Sequence, residues 1–537
     1  TGFRGEYWSK AIWLFHDSPT LTEAFLQKYY DSMILQAEHI MECHSAYRYM
    51  SNWGVIENHG LFEIGVCLPQ SEKTKQFIAF AVKNLEVQVR MQIMPDGVHW
   101  EQSPMYHNEV LHCLLDVILL AKRNDIALPD VILRQTEKMA MADVAWLKPD
   151  HHIVMMGDSD DVDVRDRISV AAYLFLNPVL RFGGFDRLDY ESIWDLGMKA
   201  GEEYAGMERR KPDFTSLFLE HSGNTYFRSD WSERANFLHL HSGTMGAGHG
   251  HSDKLHIDLV VNGEDVLMDG GRYTYVSGPK RFSYKDPSGH NTITVDDLPF
   301  TVCKDSWECS KLSQPVKENF RCMELAEFAQ AGQLGYMDLP GGVYVNRKVV
   351  YIKPDLYVLA DEMYTGDRHT YQQYFHFNNH GTVTQNAPGE KKFPCVAYRG
   401  KMAEADFYFV SAQVKAELKS GHIARHYNVE EENTVCKVTK QGEGFTSLIT
   451  VIDAQPGRPL SIEKLPVRSA LKQTDYPETM AEALKITAGE KEYVVILCHQ
   501  EVNSPTDLVE VDGCMGYGNV IVFDKAGDVL VGDVLNW

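Results

Sequence analysis

Up to about residue 205, apolar residues recur every three or four positions, whereas beyond it they alternate every second position. The helical period runs through Leu21–Met50, Thr74–Met94, Ser103–Arg123, Pro129–Leu147 and Asp166–Leu176. Pro129 followed by Asp130 reads as a helix start, and Pro95-Asp96-Gly97 as a turn between two helices. Helical hairpins in succession, with no strand between them, predict an (α/α) toroid or a bundle, and no fixed repeat makes it a solenoid. The second texture is made of short β-branched or aromatic runs: Thr225–Ser229, Ala235–His241, His256–Val261, Val343–Val345, Lys348–Ile352, Leu356–Ala360, Phe445–Val451, Tyr493–Leu497 and Val520–Phe523. Gly, Asp, Asn and Pro separate them, as in an antiparallel β-sandwich. A Pro-bearing stretch from Asp453 to Pro466 predicts the start of a further β layer. The expected fold is therefore α+β and multidomain: a toroid over 1–205, a β-sandwich over 206–455 and a C-terminal β layer over 456–537.

With 537 residues the chain is too long for one core, in keeping with this division. No apolar run approaches the roughly 18 residues of a membrane helix, so no membrane partner is expected. No basic-then-apolar leader opens the chain, an expectation compatible with the cytoplasm or with secretion after leader removal. A formal net charge of −23 argues against a nucleic-acid partner. It also requires any cleft for a polyanion to be locally basic. The ten cysteines lack a CxxC pair and often sit in apolar contexts, which predicts free thiols in a reducing setting.

Candidate chemistry concentrates between His249 and Thr294. His251, Asp269 and His290 form a first shell suited to one divalent cation, Zn²⁺ or Mn²⁺. In an extended segment the His249-Gly250-His251 spacing puts both rings on one side, one for the metal and one for a ligand. A single such histidine is usually an ordinary polar residue; three around two glycine turns point to a site. Two further groups lie in the helical part. Asn58-His59-Gly60-Leu61-Phe62-Glu63 falls in or beside a helix, where neighbours do not share a face. Tyr106 follows Pro104 at a helix start, a place for a phenol facing a cleft or for half-buried packing.

Taken in order, Asn58-His59-x-x-Phe62-Glu63, Asp96-Gly97 with Ser103-Pro104-Met105-Tyr106-His107, and the His249 and His290 segments resemble the heparinase II/III-like polysaccharide lyases. The resemblance spans roughly residues 50 to 295 by motif and implies β-elimination on a uronate-containing polysaccharide. It implies that Asn58, with His59 beside it, neutralises the uronate carboxylate, and that Tyr106 and His249 are catalytic, Tyr106 as the acid and, as a phenolate, also as a base, with His249 the other candidate. It further implies that His251, Asp269 and His290 hold the metal of the metal-bearing members. The interval from Asn58 to Tyr106 is a few residues shorter than the family pattern, which touches the intervening loop. Met155–Asp161 resembles another loop of the family; an acidic, flexible cation-binding loop is the alternative, without EF-hand spacing, and no catalytic role is assigned to it.

The chemistry suits these residue types. A uronate C5 proton becomes removable once its carboxylate is neutralised by donors such as an amide and an imidazole. A base then takes the proton and an acid protonates the departing O4. Asn52, Trp53, His107, Arg272 and Tyr273 are candidate sugar contacts. The expected partner is an acidic polysaccharide: a glycosaminoglycan such as hyaluronan, chondroitin or heparan sulfate, with alginate as the nearest variant. A toroid glycoside hydrolase would need two opposed carboxylates, and Glu57, Glu63 and Glu101 form no obvious pair. A non-catalytic carbohydrate-binding protein is the third reading.

Overall fold

The computed structural model describes residues 1–387, 391–502, 504, 506–525 and 530–536. Two compact units emerge, one helical (1–147, 151–153 and 162–213) and one of β structure (148–150, 154–161 and 214–537). The boundary near 205 expected from texture thus moves to 213, and two short pieces of the helical half belong to the β unit.

The helical unit comprises α1 (Gly2–Leu14), α2 (Glu23–Cys43), α3 (Asn52–Cys67), α4 (Glu72–Gln92), α5 (Pro104–Arg123), α6 (Asp130–Trp146) and α7 (Arg165–Phe175). Three short helices, α8 (Pro178–Gly183), α9 (Tyr190–Leu196) and α10 (Met198–Ala205), follow. The helix expected over Leu21–Met50 stops at Cys43, because His44 is extended and Ala46–Met50 forms a separate 3₁₀ turn. Helix α3 has no clear polar stripe to betray it; it is buried on most sides and packs against α1, α4 and α5. Gly60 explains its own place in the Asn-His-Gly motif: a Cβ there would sit 2.2 Å from the Gly2 carbonyl oxygen, so α1 and α3 cross at glycine.

The β unit is dominated by one 15-stranded antiparallel sheet with strands such as Phe237–His241, His256–Val261, Val343–Ile352, Leu356–Phe377 and Val429–Asp453. A five-stranded sheet starting at Leu460 packs on it. Alternation decides the layering. Val349, Tyr351, Tyr357 and Leu359 point into one core. Val350, Ile352, Val358 and Ala360 point into a second, shared with Leu484, Ile486 and Val495 of the five-stranded sheet. The C-terminal β layer expected from residue 456 thus shares a core with its neighbour. Strands buried on both faces read as continuous apolar runs.

Val343–Val345 and Lys348–Ile352, expected as separate strands, are one. Asn346 and Arg347 interrupt the apolar run but lie opposite Glu362 and Asp361 in register. Arg347 is fully buried; its Nε and Nη2 donate to the two Asp361 oxygens at 2.6 and 2.8 Å. Its Nη1 donates to the carbonyls of Leu255 and Asn291, on the loops that carry the histidine cluster. Arg347→Met should therefore leave Asp361 buried without its cation and cost about 3–5 kcal/mol. Denaturant midpoints measure this, and a loss under about 1 kcal/mol, the scale of a surface pair, would refute the account.

Between the sheets, His499 lies 2.6 Å from Glu362 and 3.1 Å from Glu482. Burial works against its charge, but the two carboxylates prevail and raise its pKa above 6.5. Burial likewise opposes the charges of Glu362 and Glu482, yet Lys348, Lys464 and His499 hold both at about 2. The histidine's contribution to stability is complete below its unfolded value of 6.5 and fades as pH rises through the raised folded value. The glutamates' contribution is complete above 4.5 and fades as pH falls towards 2. Melting temperature should decline on the alkaline side of 6.5, and His499→Gln should flatten that decline. An unchanged pH profile in the variant would count against the network.

Candidate active site and metal centre

Three segments of the β unit meet at one buried carboxylate, Asp158. His249 and His251 sit on the loop between strands Phe237–His241 and His256–Val261, and Arg281 on the short helix Pro279–Lys285. Asp158 arrives from the acidic loop 154–161, which joins this unit rather than the helical one. Backbone bonds hold that loop: Asp158 N–H donates to His249 O at 2.9 Å and Asp161 N–H to Arg425 O at 2.8 Å. Lys148 Nζ bonds Asp265 at 2.8 Å just before it. The flexible acidic loop considered from sequence is thus a fixed element with a fully buried aspartate at its centre.

Asp158 orients two imidazoles in opposite senses. Its Oδ2 lies 3.0 Å from His249 Nδ1 and its Oδ1 2.9 Å from His251 Nε2. Arg281 Nη2 donates to Oδ2 at 2.8 Å. Burial alone would push the Asp158 carboxyl up; hydrogen bonds from His249 and His251, with the Arg281 charge, hold it well below the usual range. An ionised carboxylate only accepts, so both facing nitrogens carry protons. His249 then keeps its lone pair on Nε2 and His251 on Nδ1. His249 is 9% exposed, with its ring's edge against Trp307 and Tyr275 at 5.3 and 5.9 Å. Gly250 lets the two histidines flank it, since a Cβ there would meet the Met245 carbonyl oxygen at 1.6 Å.

The expected metal residues come together. One donor atom each from His251, Asp269 and His290 lie within 4.8 Å of one another, all buried. His290 Nδ1 donates to Asp269 Oδ2 at 2.7 Å, and Asp269 Oδ1 accepts from Gly271 N–H at 2.8 Å. Burial would raise the Asp269 carboxyl, but His290 and His256 hold it below its ordinary value. His251 Nδ1 and His290 Nε2 are buried with no hydrogen-bond partner. Two orphaned imidazole nitrogens beside an ionised carboxylate fit a borderline cation such as Zn²⁺ or Mn²⁺. A further layer supports them: Asp258 Oδ1 accepts from Asp269 N–H at 3.1 Å, and its Oδ2 pairs with His239 Nδ1 at 2.9 Å.

This arrangement carries a prediction. Zn²⁺ or Mn²⁺ at about a hundred times Kd should stabilise the protein by about 2.7 kcal/mol. His251→Ala and Asp269→Ala should lose that gain and the bound metal. Thermal unfolding with and without chelator, alongside elemental analysis, checks both; unchanged metal in both variants rules the site out.

In the helical unit Asn58 and His59 are both fully buried. Asn58 Nδ2 donates to Gly54 O at 2.8 Å and, weakly, to Gln88 Oε1 at 3.4 Å. His59 Nε2 lies 3.2 Å from Glu63 and 3.5 Å from Asp116. Burial opposes its charge, but Cys113, Asp116 and Glu63 around it raise its pKa well above the ordinary value. Glu63 and Asp116 line a cavity of about 310 Å³ with Lys10, Trp13, Arg123 and Trp194. Glu6, His112 and Asp116 could also ligate a metal, but Lys10 Nζ already supplies a cation 2.9 Å from Asp116. Tyr106 is half-buried in the first turn of α5.

The candidate sugar contacts separate. His107 is a packing residue: Nδ1 accepts from His99 N–H at 3.2 Å, Nε2 donates to Met139 O at 3.1 Å, and burial pushes its pKa down to about 3. Asn52 is buried too, donating through Nδ2 to Glu101 at 2.9 Å, which consumes one carboxylate of the hydrolase reading. Trp53 is exposed, with the Arg48 guanidinium 5.3 Å from its ring centre. Arg272 is tied to Asp160 at 2.6 and 3.0 Å, and Tyr273 stacks on Tyr284.

Two family models match the chain: "Heparinase II/III N-terminus" over residues 2–178 and "Heparinase II/III-like, C-terminal" over 211–459. The chain belongs to the heparinase II/III-like superfamily. It is 25% identical over 315 residues to a heparin-sulfate lyase of Pedobacter heparinus, covering 55% of this chain and 43% of that protein. A heparin-sulfate lyase of Bacteroides thetaiotaomicron is 22% identical over 371 residues, covering 65% and 49%. The chain thus spans less than half the length of these relatives. Among solved structures, the heparan sulfate lyase HepC of Pedobacter heparinus superposes with a TM-score of 0.71 at 19% identity, covering 94% of this chain and 74% of that one. A heparinase III gives 0.74 at 16% identity, covering 93% and 74%. At these identities the superpositions establish the fold, a helical toroid followed by antiparallel β domains.

Proposed function

We propose that the chain is a polysaccharide lyase that cleaves a glycosaminoglycan of the heparan sulfate type by β-elimination, leaving an unsaturated uronate. The observation that carries this reading is the buried Asp158 holding the proton of His249 on Nδ1, 3.0 Å away, beside the metal-type cluster. An imidazole oriented in this way, with Nδ1 facing Asp158, presents Nε2 as the candidate general base. The names of the superfamily relatives, heparin-sulfate lyases, support the substrate class.

In this reading His249 Nε2 takes the C5 proton of the uronate, and the Tyr106 phenol protonates the departing O4. Asn58 and His59, both buried in α3, would neutralise the carboxylate once the contact from Asn58 to Gln88 opens to it. The 3.4 Å bond from Asn58 to Gln88 is the weak one, and the one a substrate carboxylate would displace. His251, Asp269 and His290 would hold a divalent cation, which supplies fixed positive charge and braces the His249 loop. Trp53, Arg272 and Tyr273 flank these groups in sequence and would meet the sugar.

The test is a panel of heparan sulfate, heparin, chondroitin sulfate, hyaluronan and alginate, followed by ultraviolet absorbance. Heparan sulfate should give the absorbance of an unsaturated uronate. Absorbance with alginate alone would transfer the reading to alginate, and new reducing ends without absorbance would replace it with hydrolysis.

A further inference from the structure

Two cysteines that the elimination chemistry does not use lie against each other beside His249. Cys303 and Cys309 are directly paired residues of a two-stranded antiparallel hairpin formed by Val302–Cys303 and Cys309–Lys311. Their sulfurs are 3.3 Å apart, and both thiols are half-buried and unoxidised. Opposed residues of antiparallel strands have Cα atoms about 4.5–5.5 Å apart, inside the range a disulfide bridges. A third sulfur, Met245 Sδ, lies 3.6 Å from Cys309 Sγ and walls one side. The ammonium of Lys285 is fixed nearby by the carbonyls of Gly248 and Ser306.

We propose that Cys303 and Cys309 form a redox-active dithiol that closes reversibly to a disulfide when it meets a peroxide. Their asymmetry suits the chemistry. The Cys303 thiol hydrogen-bonds Cys309 and, with Lys285 nearby, outweighs burial to bring Cys309 down to about 7; Cys303, holding the shared proton, is raised. Cys309 is therefore the nucleophile and Cys303 the resolving thiol. The Cys309 thiolate attacks one peroxide oxygen, the O–O bond breaks, and a sulfenic acid and hydroxide form. The Cys303 sulfur then attacks the Cys309 sulfur; the S–S bond forms, the S–O bond breaks, and hydroxide leaves as water with the Cys303 proton. The two sulfurs together lose two electrons, and the hydroxide released in the first step takes up the proton that Cys309 lost on ionising, so that hydrogen peroxide ends as two waters.

The bridge would close the loop Lys304–Glu308, whose Trp307 ring packs 5.3 Å from that of His249. An effect on turnover rests on the lyase reading; the disulfide itself does not. Hydrogen peroxide is added to the intact protein, residual thiols are alkylated under denaturing conditions, and peptides are mapped by mass. The ten thiols should fall to eight, with Cys303 and Cys309 joined in one peptide lighter by two hydrogens, and dithiothreitol should restore all ten. In Cys303→Ser the bridge cannot form, and dimedone should trap a sulfenic acid on Cys309. Oxidation of this pair straight to sulfinic acid, a bridge to another cysteine, or the same reversible two-thiol loss in Cys303→Ser would overturn the proposal. None of these outcomes depends on the protein having lyase activity.

Discussion

Asp158→Asn should abolish turnover while sparing the helical unit. The reason lies in what an amide can offer two imidazoles. The carboxylate accepts from His249 Nδ1 at 3.0 Å and from His251 Nε2 at 2.9 Å, so both rings keep their lone pairs on the far side. Asparagine has one accepting oxygen, and its NH₂ group must face the other ring. That ring has to accept, which moves its proton to the working nitrogen. If His249 flips its tautomer, the base is lost, a change of about 10²–10⁴-fold. If His251 flips, metal affinity falls, by about 10–100-fold even for an outer partner. Arg281, fully buried, also loses its counter-charge, and about 3–5 kcal/mol of stability goes with it. Turnover by ultraviolet absorbance, metal content and denaturant midpoints separate the three effects. A variant with near-native turnover and native metal content would show that the carboxylate merely fills space.

Asp158 also shows where reading the chain stopped short. The clustering of His251, Asp269 and His290 was legible because three ligand-type side chains flank two glycine turns within some forty positions, and local density is what a sequence displays. The partner that orients His249 and His251, Asp158, sits 91 positions before His249, in a stretch surrounded by helices. The acidic run Asp158-Ser-Asp-Asp161 signals solvent exposure in a sequence, yet each acid here has a cation or imidazole brought by the fold: Asp158 has Arg281, Asp160 has Arg272 and Asp161 has Lys148. The same limit explains the broken strands. Arg347 and Asp361 read as interruptions of apolar runs and turn out to be opposed in register. Helices α4 to α7 were legible within two residues because each has a one-sided apolar stripe; α3, buried on most sides, has none. His107 looked like a sugar contact because it follows Tyr106, but successive helix positions point in different directions, and its ring turns into the packing against Trp146.

Tyr106→Phe should produce the sharpest loss of activity with the least structural change. The phenol sits half-buried at the start of α5, so removing one oxygen leaves the helix and its packing in place. Loss of one hydrogen bond costs about 1 kcal/mol, and melting and metal content should be close to native. Turnover should fall by at least about 10²–10⁴-fold with KM little changed, because proton donation to O4 is made only in the transition state. The assignment of acid and base can be separated from a general loss of the site. A uronate substrate whose O4 carries a good leaving group, such as a nitrophenol, needs no proton there. That substrate should restore turnover to Tyr106→Phe and leave His249→Ala inactive, since the C5 proton must be removed in either case. Rescue of His249→Ala instead of Tyr106→Phe would exchange the two roles, and an active Tyr106→Phe on the natural polysaccharide would remove the phenol from the chemistry altogether.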